Sequence, residues 1–196
     1  MMVIGVTGGM ASGKTSIARM FSGRGIIHID ADRLVHHLMA TDKEMVAAII
    51  TAIPSAKAPK GLDRAKLAAH ITKHPEALAT LEAIIHPRVR AQEEAVIAAA
   101  RRNGVKAVVL DIPLLFETDA QAMCDVVVVA HAPLAQRRRR AFARAGMNDA
   151  KWRRLLDRQL PDHVRNQMAD HVIPTGIGKT VTRRVVMKLL REWGLA

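Results

Sequence analysis

Short apolar runs recur along this chain, separated by stretches in which apolar and polar residues alternate with helical spacing. Runs at Met2–Thr7, Ile26–Asp30, Lys106–Ile112, Asp125–Ala130 and His171–Ile173 predict five β-strands. Several are apolar at successive positions, as in parallel strands buried on both faces. The Ala-, Leu- and Arg-rich segments between them, Glu93–Arg102 and Val181–Trp193 among them, predict helices. Such alternation predicts a doubly wound, mostly parallel α/β sheet. Ligands are expected beyond the carboxyl ends of its strands.

Two stretches break the alternation. Residues 31–104 hold several helical patterns and no convincing strand, which predicts a helical insertion between the second and third strands. Within it, Ile53–Gly61 reads as a loop, rich in Pro, Lys and Ala. From Pro133 to Asp170 the chain reads as almost wholly helical and strongly basic, with breaks at Gly146 and Pro161.

Behind the first predicted strand stands Gly8-Gly9-Met10-Ala11-Ser12-Gly13-Lys14-Thr15, a G-x-x-x-x-G-K-T phosphate-binding loop. Its glycines let backbone N–H groups converge on phosphate oxygens. A helix starting near Lys14 adds the positive end of its dipole. Residues Gly9 through Thr15 are therefore candidate nucleoside triphosphate contacts. Lys14 reaches the outer phosphates, and the Thr15 hydroxyl is the candidate Mg²⁺ ligand.

The chain's 196 residues suit one α/β domain with a subdomain or lid. At 49% hydrophobic residues with few aromatics, its core must rest on Val, Ile, Leu, Ala and Met. The single cysteine, Cys124, excludes an internal disulfide and reads as a packing residue beside Val126–Val129. Strand and loop begin at once, with no signal-peptide pattern, and no apolar run reaches membrane-span length. A cytoplasmic location without membrane association is expected. The net charge of +12 admits nucleic acid, small polyanionic ligands or a solvated basic surface. Clustering of Arg137–Arg140, Arg144 and Arg153-Arg154, with few aromatics to stack bases, favours the small polyanions and no nucleic-acid partner.

Further candidates lie at strand ends and in the basic segment. Asp32, in Asp30-Ala31-Asp32, is the candidate base that accepts a hydroxyl proton. Asp30 either holds water around Mg²⁺ or caps the following helix. Ile85-His86-Pro87-Arg88 reads as a helix–helix corner, and Arg88 at a helix start would run against the dipole, hinting at a nearby anion. Asp111 closes a strand of Walker B type and is a secondary metal candidate. Pro113-Leu114-Leu115-Phe116-Glu117 then forms either an apolar wall against a substrate or core packing. Arg140 and Arg144, four apart, are read as sharing a helical face that closes over the transferring phosphoryl group.

In their order and spacing these residues resemble the dephospho-coenzyme A kinase family nearly from end to end. The match comprises Thr7–Thr15, Asp30–Asp32, D-R-x-x-L at Asp63–Leu67, L-E-x-I-x-H-P at Leu81–Pro87 and P-L-L-F-E at Pro113–Glu117. Arg140, Arg144, Gln159 and Ala169-Asp170 complete it. The resemblance implies a P-loop kinase-type three-layer sandwich and Mg²⁺-dependent transfer from ATP to the ribose 3′-hydroxyl of dephospho-coenzyme A, the last step of coenzyme A synthesis. It implies catalytic roles for Asp32, Lys14 and Arg140, with Arg140 and Arg144 binding ATP. Substrate contacts are implied for Asp32, His86, Arg88, Leu114, Phe116 and Glu117. Residues 31–104 would be the coenzyme A subdomain and 133–168 the lid, in a monomer or small homo-oligomer. Two departures from the pattern stand out. The F-G pair usual before Asp63 is missing, and Pro174 replaces a common Asp or Asn near the expected adenine, removing a backbone donor. A nucleoside or nucleoside monophosphate kinase would share the loop and an Arg-bearing lid, but is not expected to carry the His-Pro and Pro-Leu-Leu-Phe-Glu elements. A nucleic-acid-binding or regulatory ATPase that uses the +12 charge on phosphates is the reading from another class.

Overall fold

The computed structural model describes residues 1–23, 25–59 and 61–196 and divides the chain into two compact units, 1–30 with 97–196, and 31–96. In chain order, β1 (Met2–Gly8), α1 (Lys14–Phe21) and β2 (Ile26–Asp30) come first. They are followed by α2 (Ala31–Thr41), α3 (Lys43–Ala52), β3 (Lys57–Ala58), β4 (Gly61–Leu62), α4 (Arg64–Lys73) and α5 (Ala77–Arg102). Then come β5 (Ala107–Asp111), β6 (Val126–His131), α6 (Leu134–Phe142), α7 (Asp149–Leu156), α8 (Asp162–Gln167), β7 (His171–Pro174) and α9 (Lys179–Glu192).

The first unit is built on a five-stranded sheet of order β2-β5-β1-β6-β7 in which every pairing is parallel. Each expected strand is present, within a residue or two of its expected ends. Burial on both faces explains why the inner strands β1, β5 and β6 read as unbroken apolar runs, whereas the edge strands β2 and β7 expose Ile27 and Val172. Ile4, Val6, Val109 and Val128 face a cluster with Ile17 and Phe21 of α1 and Val186 and Leu189 of α9. The intervening Val3, Val108, Leu110 and Val129 are equally buried. Gly5 leaves room for Cys124 and Leu115, since a Cβ there would lie 2.7 Å from Cys124 Sγ and 2.8 Å from Leu115 Cδ1. Cys124 is thus a packing residue, as expected. With β1 central, the chain leaves it through α1 for β2 on one side and later crosses from β5 to β6 on the other. This reversal opens a crevice at the carboxyl end of β1, where the phosphate-binding loop begins. Pro174 costs the sheet little, because it closes the edge strand β7.

The unit 31–96 is helical with its own apolar core of Leu38, Met45, Ile49, Ile53, Leu67, Leu81, Ile85 and Val89. Asp42 caps α3 by accepting from Met45 N (2.9 Å), and Asp63 caps α4 by accepting from Ala65 N (2.9 Å) and Lys66 N (3.0 Å). The aspartate of the D-R-x-x-L element is therefore a helix cap. Two expectations fail here. The stretch read as strandless contains a small antiparallel hairpin, β3 with β4. It falls in the segment read as a loop, of which Lys60 lies outside the described residues. The His86-Pro87 corner does not exist either, because Pro87 sits inside the continuous helix α5. Leu81, Ile85 and Val89 form one buried stripe running past the exposed proline. Burying each is worth roughly 1.5–3 kcal/mol, which outweighs the ~3 kcal/mol cost of an interior proline.

Candidate active site

The loop between β1 and α1 carries the backbone geometry that phosphate binding needs. Gly8 (φ 155°) and Gly13 (φ 96°) lie in the positive-φ region, and so does Ala11 (φ 59°), which pays strain for a conformation glycine would adopt freely. Alternating handedness of this kind turns successive N–H groups into one concavity. The loop runs directly into the start of α1, whose N-cap Gly13 offers no side-chain cap. Gly9 is needed for a different reason. A Cβ there would lie 1.7 Å from Arg137 Nη1, so that position must be glycine for space.

Below the loop, at the carboxyl end of β5, Asp111 is fully buried and accepts a hydrogen bond from Lys14 Nζ through Oδ1. His28 Nε2 stands 3.6 Å from Oδ2, within electrostatic reach but too far for a hydrogen bond. Oδ2 has no hydrogen-bond partner among the described residues. Burial pushes the Asp111 carboxyl up, but His28, Lys14 and the Thr15 hydroxyl together hold it below its ordinary value. Asp111, secondary in the sequence reading, thus joins Lys14 and Thr15 as a core member of the cluster. Asp30 pairs in register with Asp111 at the end of β2.

The basic segment meets the loop differently from expectation. Arg140 Nη2 donates to Thr175 O (2.8 Å), and Nη1 makes long contacts with Ala11 O and Ser12 O (3.5 Å each) and Thr175 Oγ1 (3.4 Å). Its guanidinium is occupied by carbonyls that brace the loop from outside. Arg144 does not share a helical face with it. Helix α6 ends at Phe142, the chain turns toward Gly146 (φ 76°), and Arg144 is exposed in that turn. Met10 N donates to Gln159 Oε1 (2.8 Å), while Leu160 N donates to Glu117 Oε1 (2.8 Å). Glu117 therefore acts on the loop through the segment that carries Gln159. Phe116 and Leu115 are buried, and Leu114 is half-buried.

Sequence reasoning missed two arginines. Arg137 of α6 and Arg165 of α8 are both buried and both bound to Asp162, at 2.7 and 2.6 Å. The only trace in the sequence was Arg137's place within the arginine run, where four successive cations look alike until the helix shows which one turns inward.

Within the unit 31–96, Asp32 is exposed in the first turn of α2, two residues past the end of β2. His86 is exposed on α5. Arg88 lies mid-helix rather than at a helix start, so the dipole argument for a nearby anion fails. Its partners are carboxylates instead, Asp42 at 3.4 Å and Glu44 at 3.0 Å. Among the described residues no three His, Cys, Asp or Glu side chains assemble into a metal site, and no helix is long and apolar enough to cross a membrane.

The family model for dephospho-CoA kinase matches residues 2–178. A dephospho-CoA kinase of Mesorhizobium japonicum is 41% identical over 194 residues, covering 98% of this chain and 96% of that protein. A crystal structure of a Thermus thermophilus protein superposes with a TM-score of 0.81 at 29% identity, over 97% of this chain and 96% of the other. The dephospho-CoA kinase of Campylobacter jejuni shares the fold, with a TM-score of 0.71 at 24% identity over 97% and 96% of the two chains. The phosphate-binding loop at the sheet's central strand, the buried carboxylate beneath it and this end-to-end likeness place the chain in the dephospho-CoA kinase family.

Proposed function

We propose that this chain transfers the γ-phosphoryl group of ATP to the 3′-hydroxyl of the ribose of dephospho-CoA. ATP-dependent phosphorylation of dephospho-CoA to CoA, which completes CoA biosynthesis, is the activity of the family to which the chain belongs. The observation that carries the reading is the cluster of Lys14, Thr15 and buried Asp111 at the carboxyl ends of parallel strands, directly under a phosphate-binding loop. Phosphoryl transfer leaves little covalent chemistry to the protein, so positioning and charge do most of the work.

Residues 9–15 cradle the β- and γ-phosphates. The donors are the backbone N–H groups of Ala11 and of Gly13–Thr15, since Met10 N is bound to Gln159 and Ser12 N to Gly9 O. Lys14 swings from Asp111 to the outer phosphate oxygens. Asp32 orients the 3′-hydroxyl and takes its proton as the new P–O bond forms and the bond to the β,γ-bridging oxygen breaks. Its chain position just past β2 and its place in the D-A-D element support that role. Arg140 keeps the loop in its binding shape, and Arg144 supplies an exposed cation on the same basic segment. Residues 133–168 serve as the lid and 31–104 as the acceptor subdomain, with His86 and Arg88 toward the acceptor and Leu114, Phe116 and Glu117 shaping its wall.

The site fits Mg²⁺. Asp111 Oδ2 is a buried carboxylate oxygen with no hydrogen-bond partner among the described residues, and the Thr15 hydroxyl lies beside it. One carboxylate and a hydroxyl, completed by phosphate oxygens and water, are ordinary Mg²⁺ surroundings. The ion would draw charge from the β- and γ-phosphate oxygens there.

The reading is tested by incubating the protein with ATP and Mg²⁺ in the presence of dephospho-CoA, adenosine, AMP or cytidine and reading product masses. A CoA mass from dephospho-CoA, and no phosphorylated product from the others, is expected. Phosphorylation of AMP or a nucleoside in its place would assign the chain to the other kinase class. ATP consumption only in the presence of oligonucleotide would assign it to an ATPase.

A further inference from the structure

We propose that Arg137 and Arg165, yoked by Asp162, grip the terminal phosphate of the donor nucleotide over Gly9, a role that rests on the ATP-dependent reading above. Arg137 reaches inward from α6 and Arg165 from α8, and their side chains are only 4% and 3% exposed. Arg137 Nη2 donates to Asp162 Oδ2 (2.7 Å) and Arg165 Nη2 to Asp162 Oδ1 (2.6 Å), with a further bond from Arg165 Nη2 to Leu160 O (3.0 Å). One carboxylate thus serves two guanidinium groups and leaves a surplus positive charge in a buried place. Three donors, Arg137 Nε and Nη1 and Arg165 Nη1, have no partner among the described residues. Buried donors left unpaired are costly, and native structures rarely keep three together without an acceptor for them.

Where they point is set by Gly9. A Cβ at that residue would meet Arg137 Nη1 at 1.7 Å and Arg165 Nη1 at 3.2 Å, so both free ends converge on the second residue of the phosphate-binding loop. An anion beside that point would meet two planar forks, whose donors match phosphate oxygens better than a point charge does. Burial pushes the Arg137 guanidinium below its usual range, Asp162 pulls it back up and Arg165 lowers it again. A bound phosphate would relieve that strain on the charge. Arg140, by contrast, has its donors engaged with Thr175 and loop carbonyls. Asp162 fixes both forks before the nucleotide arrives, the preorganisation that makes charge stabilisation effective in transfer.

Isothermal titration of ATP, ADP and dephospho-CoA into the full chain with Mg²⁺, for wild type, Arg137→Gln and Arg165→Gln, tests this. Each variant is expected to weaken ATP roughly 10- to 100-fold while ADP stays within about 3-fold, since ADP lacks the gripped group. Parallel losses for ATP and ADP, unchanged ATP affinity, or a loss confined to dephospho-CoA would each overturn the proposal. Circular dichroism melts check the fold. If either glutamine variant unfolds, Arg137→Lys keeps a cation opposite Asp162 without the fork, and a reduced preference for ATP over ADP is expected. An unchanged preference would refute the grip. Failure of wild type to make CoA while the arginines still set the ATP preference would remove the acceptor assignment and leave this inference standing.

Discussion

At the carboxyl end of β5, Asp111 combines a bond to Lys14, a nearby His28 and one oxygen without a hydrogen-bond partner among the described residues. Removing its charge should act on metal use more than on nucleotide binding. Asp111→Asn is expected to lower turnover roughly 10²- to 10³-fold, the scale of losing one electrostatic contact in a transfer site. It should also shrink the gain in ATP affinity that Mg²⁺ provides, measured by titration with and without the ion. An Asp111→Asn protein with wild-type Mg²⁺ dependence would place the metal elsewhere. Gly9→Ala makes a second test at this scale. Its Cβ must displace Arg137, which Asp162 holds in a buried position, so ATP affinity and the melting temperature should both fall. Residues with a backbone signature were legible from the sequence at this scale. The loop glycines and Lys14 sit where the motif puts them. Arg137 and Arg165 were not legible, because their importance comes from which way a helix turns them.

Among the elements, α5 shows where local rules lose to packing. Pro87 signals a helix boundary, yet the buried stripe of Leu81, Ile85 and Val89 carries the helix through it. Pro87→Ala restores a helix donor and removes the ring clash. It is expected to raise the melting temperature by several degrees, given the ~3 kcal/mol spread between proline and alanine in a helix interior. A calorimetric scan checks this, and a lower melting temperature would mean that α5 depends on the proline. The converse holds at α6, where arginine spacing suggested a shared face but the helix stops at Phe142. A run of like residues carries periodicity without marking an end. The strands were the most legible elements, because the apolar runs of β1, β5 and β6 are buried on both faces, as the inner strands of a parallel sheet are.

For the whole molecule, the chain divides into the compact units 1–30 with 97–196, and 31–96. The boundary at residue 97 falls inside α5, which spans Ala77–Arg102. Glu93 lies on this helix, 3% exposed, and burial pushes its carboxyl up to about 7, with Arg90 opposing and Glu94 adding to the rise. Its folded value exceeds its ordinary 4.5, so between those two pH values the folded chain holds a proton that the unfolded chain has lost. Glu93 therefore lowers stability as pH rises through that window, and the loss persists above it. Glu93→Gln should melt higher than wild type at pH 8 and match it near pH 4.5, as read by circular dichroism. Equal melting temperatures at both pH values would show that the buried carboxyl titrates normally.

The most direct measurement is a phosphorus NMR time course of the wild-type protein with ATP, Mg²⁺ and dephospho-CoA. The γ resonance of ATP is expected to decline as ADP and a single ribose 3′-monoester grow one for one. Decay of ATP to inorganic phosphate, a monoester at any other position, or no monoester at all would contradict it.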